Sequence, residues 1–133
     1  MEDDSVREAI ETDAAKRVKE LLDNKWLDPT GADRHGWTAL MTAAALGAPK
    51  CLALLLPLSD PRARTNMGMT PLMWAALSGK AKCVEMLIPV SDLSATDDRG
   101  RTALAMAQTE KRKAWKACAA LLSQAELAAK SGK

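Results

Sequence analysis

The 133-residue sequence contains no Phe, no Tyr and a single His. Its apolar residues are instead mostly Ala and Leu, with seven Met and four Trp. Small side chains let helices approach closely, so this composition favours thin stacked layers over one thick core. The single histidine, His35, leaves any Ser-His-Asp or Cys-His arrangement with one candidate base. No Gly-rich phosphate loop and no metal-ligand spacing of the three cysteines is present. We therefore expect no enzyme and no cofactor or metal.

Long apolar runs and a strong charge imbalance are also missing. The chain has 19 Lys and Arg against 17 Asp and Glu. The most apolar window, residues 39–58, is interrupted by Gly47, Pro49, Lys50 and Pro57. A membrane-spanning helix needs about 20 predominantly apolar residues, so the window predicts two short helices and no membrane insertion.

A stretch of nine residues recurs at a fixed interval. Residues 36–44 are followed by similar stretches at 68–76 and 100–108, each 32 residues further on. Residues around the stretches recur in step, including Asp60 and Asp92. A period this regular is typical of a solenoid.

The repeated pattern Gly-x-Thr-Pro-Leu-x-x-Ala-Ala-x-x-Gly resembles an ankyrin repeat. The resemblance covers residues 5–123 and implies an all-α ankyrin-repeat solenoid of stacked helix–turn–helix units with projecting hairpin-like finger turns. We expect one domain over residues 1–133. Its parts are an N-terminal capping repeat (1–27), two repeats (28–59 and 60–91) and a C-terminal capping repeat with a tail (92–133). We expect a self-contained array, and a fragment of a larger protein remains the alternative.

Local signals place the helix ends. Thr38 and Thr70 are expected N-caps, Gly47 is expected to end a helix, and Asp13 can cap a helix in the first repeat. In the third copy the cysteine lies 16 positions after Thr102, against 13 positions after the threonine in the earlier copies. Either the turn between the two helices is longer or the first helix is. A final helix is expected to run past the copy.

Two departures from the ankyrin pattern bear on stability. The pattern usually carries His after Thr-Pro-Leu, and Met41, Met73 and Ala105 stand there instead. We expect lower stability than in an idealised array unless methionine packing offsets the loss. Thr65 replaces the Asp that begins the other fingers, and Asn66 is expected to serve that turn instead.

The cysteines indicate the compartment. Cys51 and Cys83 are equivalent in the repeat, and Cys118 lies near the matching place. Equivalent positions in stacked layers lie roughly 10 Å apart, too far for a disulfide. Reduced cysteines and an N-terminus without a signal-peptide pattern favour an intracellular protein, cytoplasmic or nuclear.

The resemblance implies that ligands lie on the concave face, which is made by the finger tips and the first helices. Trp37, Met67 and Met69 are the informative residues, because a turn tip has no need of a large apolar side chain unless it folds back on the next finger. Trp74, inside a helix, is expected in the core. The predicted partner-binding residues are Arg34, His35, Trp37, Leu46, Arg64, Asn66, Met67, Met69, Leu77, Asp98, Arg99 and Arg101.

We therefore predict a monomeric scaffold that binds a partner protein or peptide on this face. The alternative is a binder of nucleic acid or an anionic surface through Lys111, Arg112, Lys113 and Lys116. Nucleic-acid binding is weakly supported, because no aromatic residue beyond Trp115 is interleaved with these cations.

Overall fold

The computed structural model describes Ile10, Thr12 and residues 14–24, 31–110 and 115–131. Within these residues the chain forms seven α-helices and no strand, so the all-α prediction is confirmed. The helices are α1 (Ala15–Asp23), α2 (Ala39–Leu46), α3 (Pro49–Leu55), α4 (Pro71–Leu77), α5 (Ala81–Leu87), α6 (Ala103–Glu110) and α7 (Trp115–Ser131). Short 3₁₀ turns, Leu56–Leu58 and Ile88–Val90, follow α3 and α5.

The predicted caps begin and end the helices. Thr38 is extended, and its hydroxyl accepts a hydrogen bond from the Met41 N–H at 3.4 Å. Thr70 does the same for the Met73 N–H at 3.3 Å. Gly47 closes α2 in the left-handed conformation, with φ of +73°, which glycine adopts without a steric penalty.

Methionine completes the two caps from the other side. The sulfur of Met41 accepts the Thr38 N–H at 3.5 Å, and the sulfur of Met73 accepts the Thr70 N–H at 3.4 Å. Both methionines are fully buried, at 0% and 1% exposure. The two methionines thus stand where the ankyrin pattern usually has His. They are core residues, and the sulfur of each also accepts one N–H at the N-terminus of its helix.

The helices form two rows. In one row α4 packs between α2 and α6, and in the other α5 packs between α3 and α7. Within each pair the two helices also pack against each other. The layers share one apolar core that includes Cys51, Cys83 and Cys118, all buried and none in a disulfide. This confirms the cysteines as small buried residues.

The outer repeats are described in part. In the first, α1 buries Val18 and Leu21, and Ile10 is buried with them. The expected cap Asp13 and the preceding acidic residues lie outside the described residues. In the last, α6 has eight residues, as α2 does, and α7 begins at Trp115 and runs for 17 residues. Residues 111–114 between these helices lie outside the described residues, so the place of the extra residues stays open. Helix α7 extends past the third copy as predicted. The repeat boundaries themselves stay a prediction.

Candidate functional site

Three finger turns, residues 33–37, 65–69 and 97–101, project from the helices. Each turn is closed by two backbone hydrogen bonds; in the first finger the Asp33 N–H donates to the Trp37 carbonyl at 3.0 Å and the Gly36 N–H to the Asp33 carbonyl at 2.9 Å. One oxygen of Asp33 also accepts the N–H groups of His35 and Trp37, at 2.8 and 3.0 Å. These bonds fix the side chains that the finger presents.

The acids that begin the first and third fingers are held ionised. The Trp37 N–H is the main cause that lowers the pKa of Asp33. Burial opposes it, and the His35 N–H adds to the lowering. Burial raises the pKa of Asp97, but the N–H and guanidinium of Arg101 and the Arg99 N–H together outweigh it and lower that pKa. Each carboxylate therefore keeps its charge, which is stabilised by donors of its own finger.

Thr65 begins the second finger without a carboxylate. Its hydroxyl accepts the N–H groups of Met67 and Met69, both at 3.2 Å. Asn66 is not the turn former, so that prediction was wrong. Its side-chain amide instead donates to the Arg34 carbonyl at 3.1 Å. Because the Thr65 hydroxyl accepts the N–H groups of both Met67 and Met69, the Asn66 side chain is not needed in its own turn. It links the second finger to the first instead.

Neighbouring fingers are also linked by backbone. The Asn66 N–H donates to the His35 carbonyl at 2.8 Å, and the Asp98 N–H donates to the Met67 carbonyl at 3.0 Å. The Arg64 guanidinium donates to the carbonyl of Thr96, the residue before the third finger. The three fingers therefore form a connected surface with little freedom to move separately.

Two tryptophans meet between the layers of the first two fingers. The rings of Trp37 and Trp74 are 4.6 Å apart between centroids, at an interplanar angle of 64°. The Trp37 indole N–H donates to the Thr42 hydroxyl on α2. The Trp74 indole N–H is buried and has no acceptor in the described part of the chain. Trp74 packs against the core, as predicted, and also presents surface to the fingers.

An open groove of about 460 Å³ lies beside this pair, between the first two fingers and α4. Its surface is mainly apolar. Met67 is the most exposed large apolar residue of its rim, at 61%. The groove is lined by Asp33, His35, Trp37, Thr65, Asn66, Met67 and Trp74.

The groove brings four predicted site residues together: His35, Trp37, Asn66 and Met67. Arg34, Asp98 and Arg99 are exposed on the finger turns but do not line it. Arg64 is exposed as well, although its guanidinium is engaged by the third finger.

The other predicted residues lie outside the groove and are less exposed. Met69 is only 5% exposed and belongs to the core, so its assignment to the binding surface was wrong. It is the last residue of the second finger, and its carbonyl accepts the Thr65 N–H that closes the turn. Leu46 and Leu77 are half-buried against the core. The Arg101 guanidinium is paired with Asp97, with its terminal nitrogen 3.0 Å from a carboxylate oxygen.

Sequence reasoning missed three residues of the groove: Asp33, Thr65 and Trp74. The repeat contained a signal for Trp74, because it stands 32 residues after Thr42, the residue that receives the Trp37 indole N–H. A large residue at that position of the next layer falls beside the finger. Asp33 and Thr65 were considered only for their roles in the turns.

The basic residues of the alternative prediction are described only in part. Lys111, Arg112 and Lys113 lie outside the described residues, and Lys116 is exposed with its ammonium 6.0 Å from the ring centroid of Trp115.

Within the described ranges, no group of three or more His, Cys, Asp or Glu could hold a metal ion. No helix of the described chain combines the length and hydrophobicity required to cross a bilayer.

Comparison with protein families agrees with this geometry. The family profile for ankyrin repeats (3 copies) matches residues 58–131, and the profile for the single ankyrin repeat matches residues 35–66. The first of these covers more than half of the chain. The protein therefore belongs to the ankyrin repeat family, whose members are generally protein–protein interaction modules. A search of curated proteins found no match.

Proposed function

We propose that this protein binds a partner protein or peptide through the groove between its first two fingers. The observation that carries the proposal is the position of Met67: a large apolar side chain, 61% exposed, beside two tryptophans in an open apolar groove. Tryptophan is enriched among residues that dominate binding energy at interfaces. Methionine adapts its shape to different apolar surfaces.

The rigidity of the fingers favours the same use. Hydrogen bonds join the second finger to the first through Asn66 and to the third through Met67. A preorganised surface loses little conformational entropy when a partner binds. Arg34 is exposed on the first finger and Arg99 on the third, where both can contact polar groups at the edge of the interface.

The experiment is an affinity capture from the lysate of the source cell, with proteins identified by mass spectrometry. It compares wild type with Met67→Ala and with a control, Leu58→Ala. Leu58 is also an exposed apolar residue, at 47%, but it lies in the 3₁₀ turn after α3 and not in the groove. Unfolding curves for all three proteins establish that each is folded.

We expect a captured partner to be retained by wild type and Leu58→Ala and to be lost or strongly reduced with Met67→Ala. Truncation of a dominant interface residue costs about 2 kcal/mol or more, which is roughly a 30-fold loss of affinity. Equal retention by all three folded proteins would contradict the groove as the binding site. Met69→Ala is not a suitable variant, because Met69 is buried and its loss would test the fold.

The protein acts in this proposal as an intracellular monomer that catalyses no reaction. The three buried thiols, none of which is in a disulfide, support the intracellular setting. Sedimentation at the concentrations used for binding tests the monomer, and two copies bound through the groove would contradict it.

A further inference from the structure

We infer that the groove receives a methylated lysine side chain of the partner. This inference rests on the proposed function and names the chemistry of the group that enters the groove. Three features support it: two indole rings that line the groove, a carboxylate that forms no salt bridge with Lys or Arg of the described residues, and a lining poor in hydrogen-bond acceptors.

The indoles provide the first feature. Trp37 and Trp74 lie at 64° to each other with 4.6 Å between ring centroids, and both line the groove. The rings touch edge to face, so no group enters between them, and a cation would rest on the ring surfaces that line the groove. The face of an indole attracts a cation that lies within about 6 Å of the ring centroid, and quaternary ammonium groups are bound in this way by aromatic cages.

The carboxylate provides the second. Asp33 is the acid of the lining, which includes no Lys or Arg. One of its oxygens accepts two backbone N–H groups. Within the described residues no Lys or Arg side chain forms a salt bridge with it. Arg34 and His35 follow it in the turn and favour its ionised form. A full negative charge thus lies at the edge of an apolar groove.

The residues that line the groove favour a methylated ammonium over a primary ammonium. A primary ammonium has three N–H donors, and burying them without acceptors carries a desolvation cost. The groove offers few acceptors, because its surface is mainly apolar and the Thr65 hydroxyl already accepts two amides. Methyl groups replace those donors and make apolar contacts with the indoles and Met67. The positive charge remains available to the rings and to Asp33.

The experiment uses one short peptide with uncharged flanking residues in five versions. The central residue is lysine, its mono-, di- or trimethylated form, or a neutral isostere in which a tert-butyl group replaces the trimethylammonium group. Binding is measured by calorimetry. We expect the trimethylated peptide to bind about tenfold more tightly than the neutral isostere, the upper part of the range for a cation on aromatic faces. Unmodified lysine should bind more weakly than the methylated forms.

Variants of the protein identify the groups responsible. Asp33→Asn keeps an oxygen that can accept the two N–H groups but removes the charge, and it should weaken binding of the trimethylated peptide about threefold or more. The control is Asp60→Asn, since Asp60 also accepts a backbone N–H two residues on, at 2.9 Å, outside the groove. It should bind as wild type does.

A matched pair at Trp37 separates the ring from the fold. Trp37→Phe and Trp37→Leu both lose the indole N–H bond to Thr42, but only Phe keeps an aromatic face. The Phe variant should retain most of the preference for the charged peptide over the neutral isostere, and the Leu variant should lose it. Melting curves report the stability that the two variants lose in common.

The outcomes are distinct. Equal affinity for the trimethylated peptide and the isostere, or no binding of any peptide, would overturn the methyl-lysine assignment. If Met67→Ala still abolished capture of a cellular partner, the proposed protein-binding function would stand without it. If capture were also unaffected by Met67→Ala, both proposals would fail.

Discussion

Gly36 lies so close to the backbone of Thr65 that a Cβ atom added to Gly36 would come 3.0 Å from the Thr65 Cα. The same Cβ would come 3.0 Å from the Arg64 carbonyl oxygen. This close approach allows the Asn66 N–H to reach the His35 carbonyl. The first two fingers are therefore in backbone contact at the edge of the groove.

Gly36→Ala should destabilise the protein more than Gly100→Ala. Both glycines are left-handed, with φ of +79° and +76°, so both substitutions carry a similar conformational cost of about 1–2 kcal/mol. A Cβ at Gly100 would meet no atom within 4 Å. The additional loss of stability expected at Gly36 from overpacking is about 1–3 kcal/mol. It is measured as the difference between the free energies of unfolding of the two variants in denaturant. Equal losses would mean that the second finger moves away at no cost.

Thr65→Val should cost about 1 kcal/mol of stability, because the Met67 and Met69 N–H groups would lose their acceptor. Thr65→Asp should restore or improve stability, since the other two fingers begin with Asp in the same role. Thermal unfolding of the three proteins checks the order. A Val variant as stable as wild type would show that water replaces the hydroxyl.

Met41→Leu should destabilise the protein by about 1 kcal/mol more than Met106→Leu. Both methionines are fully buried, at 0% exposure, and leucine nearly conserves their volume. Only at Met41 does the sulfur accept an N–H, that of Thr38. The change there leaves a buried donor unpaired, which carries a cost. Chemical denaturation measures the difference. An equal effect of the two substitutions would show that the contact between the Met41 sulfur and the Thr38 N–H contributes no stability.

Asp97→Asn should lower stability at neutral pH by about 2 kcal/mol, the scale of hydrogen bonds to a charged group. The side chain of Asp97 is 4% exposed and is paired with Arg101. The pKa of Asp97 is lower in the folded protein than the ordinary 3.8. Its contribution to stability is therefore full above pH 3.8 and is lost as the pH falls through the lowered value.

The measurement is the free energy of unfolding of wild type and Asp97→Asn from pH 7 down to acid. The two curves should begin to converge below pH 3.8 and meet below the lowered pKa of Asp97, because protonation removes from wild type what the substitution removes at every pH. Asp98→Asn is the control, as Asp98 is exposed. A constant gap across the whole range would assign the effect of Asp97→Asn to packing.

The period and the caps could be predicted from sequence because they depend on local chemistry. Thr38 and Thr70 cap their helices through bonds to residues three positions on, and Gly47 ends α2 through its own left-handed backbone. Such bonds form within one repeat and need no knowledge of the next. The fold class came from the resemblance of the repeated pattern to an ankyrin repeat.

The groove was predicted only in part because its side chains depend on the neighbouring layer. Met69 and Trp37 are equivalent in the repeat, yet Met69 is in the core and Trp37 lines the groove. Trp37 lies against Trp74, a contact between layers that the pattern of one repeat does not contain. Asn66 likewise bonds to the preceding finger and not to its own turn.

Cys51, Cys83 and Cys118 place one buried thiol in each of three successive layers. Only a thiolate at the surface reacts readily with an alkylating reagent, and burial raises the pKa of Cys118 further from neutrality. Alkylation of each cysteine therefore has to wait until its own layer opens. Each of these three layers thus has its own thiol that reacts when that layer opens. The order in which the three thiols are alkylated gives the order in which these layers come apart.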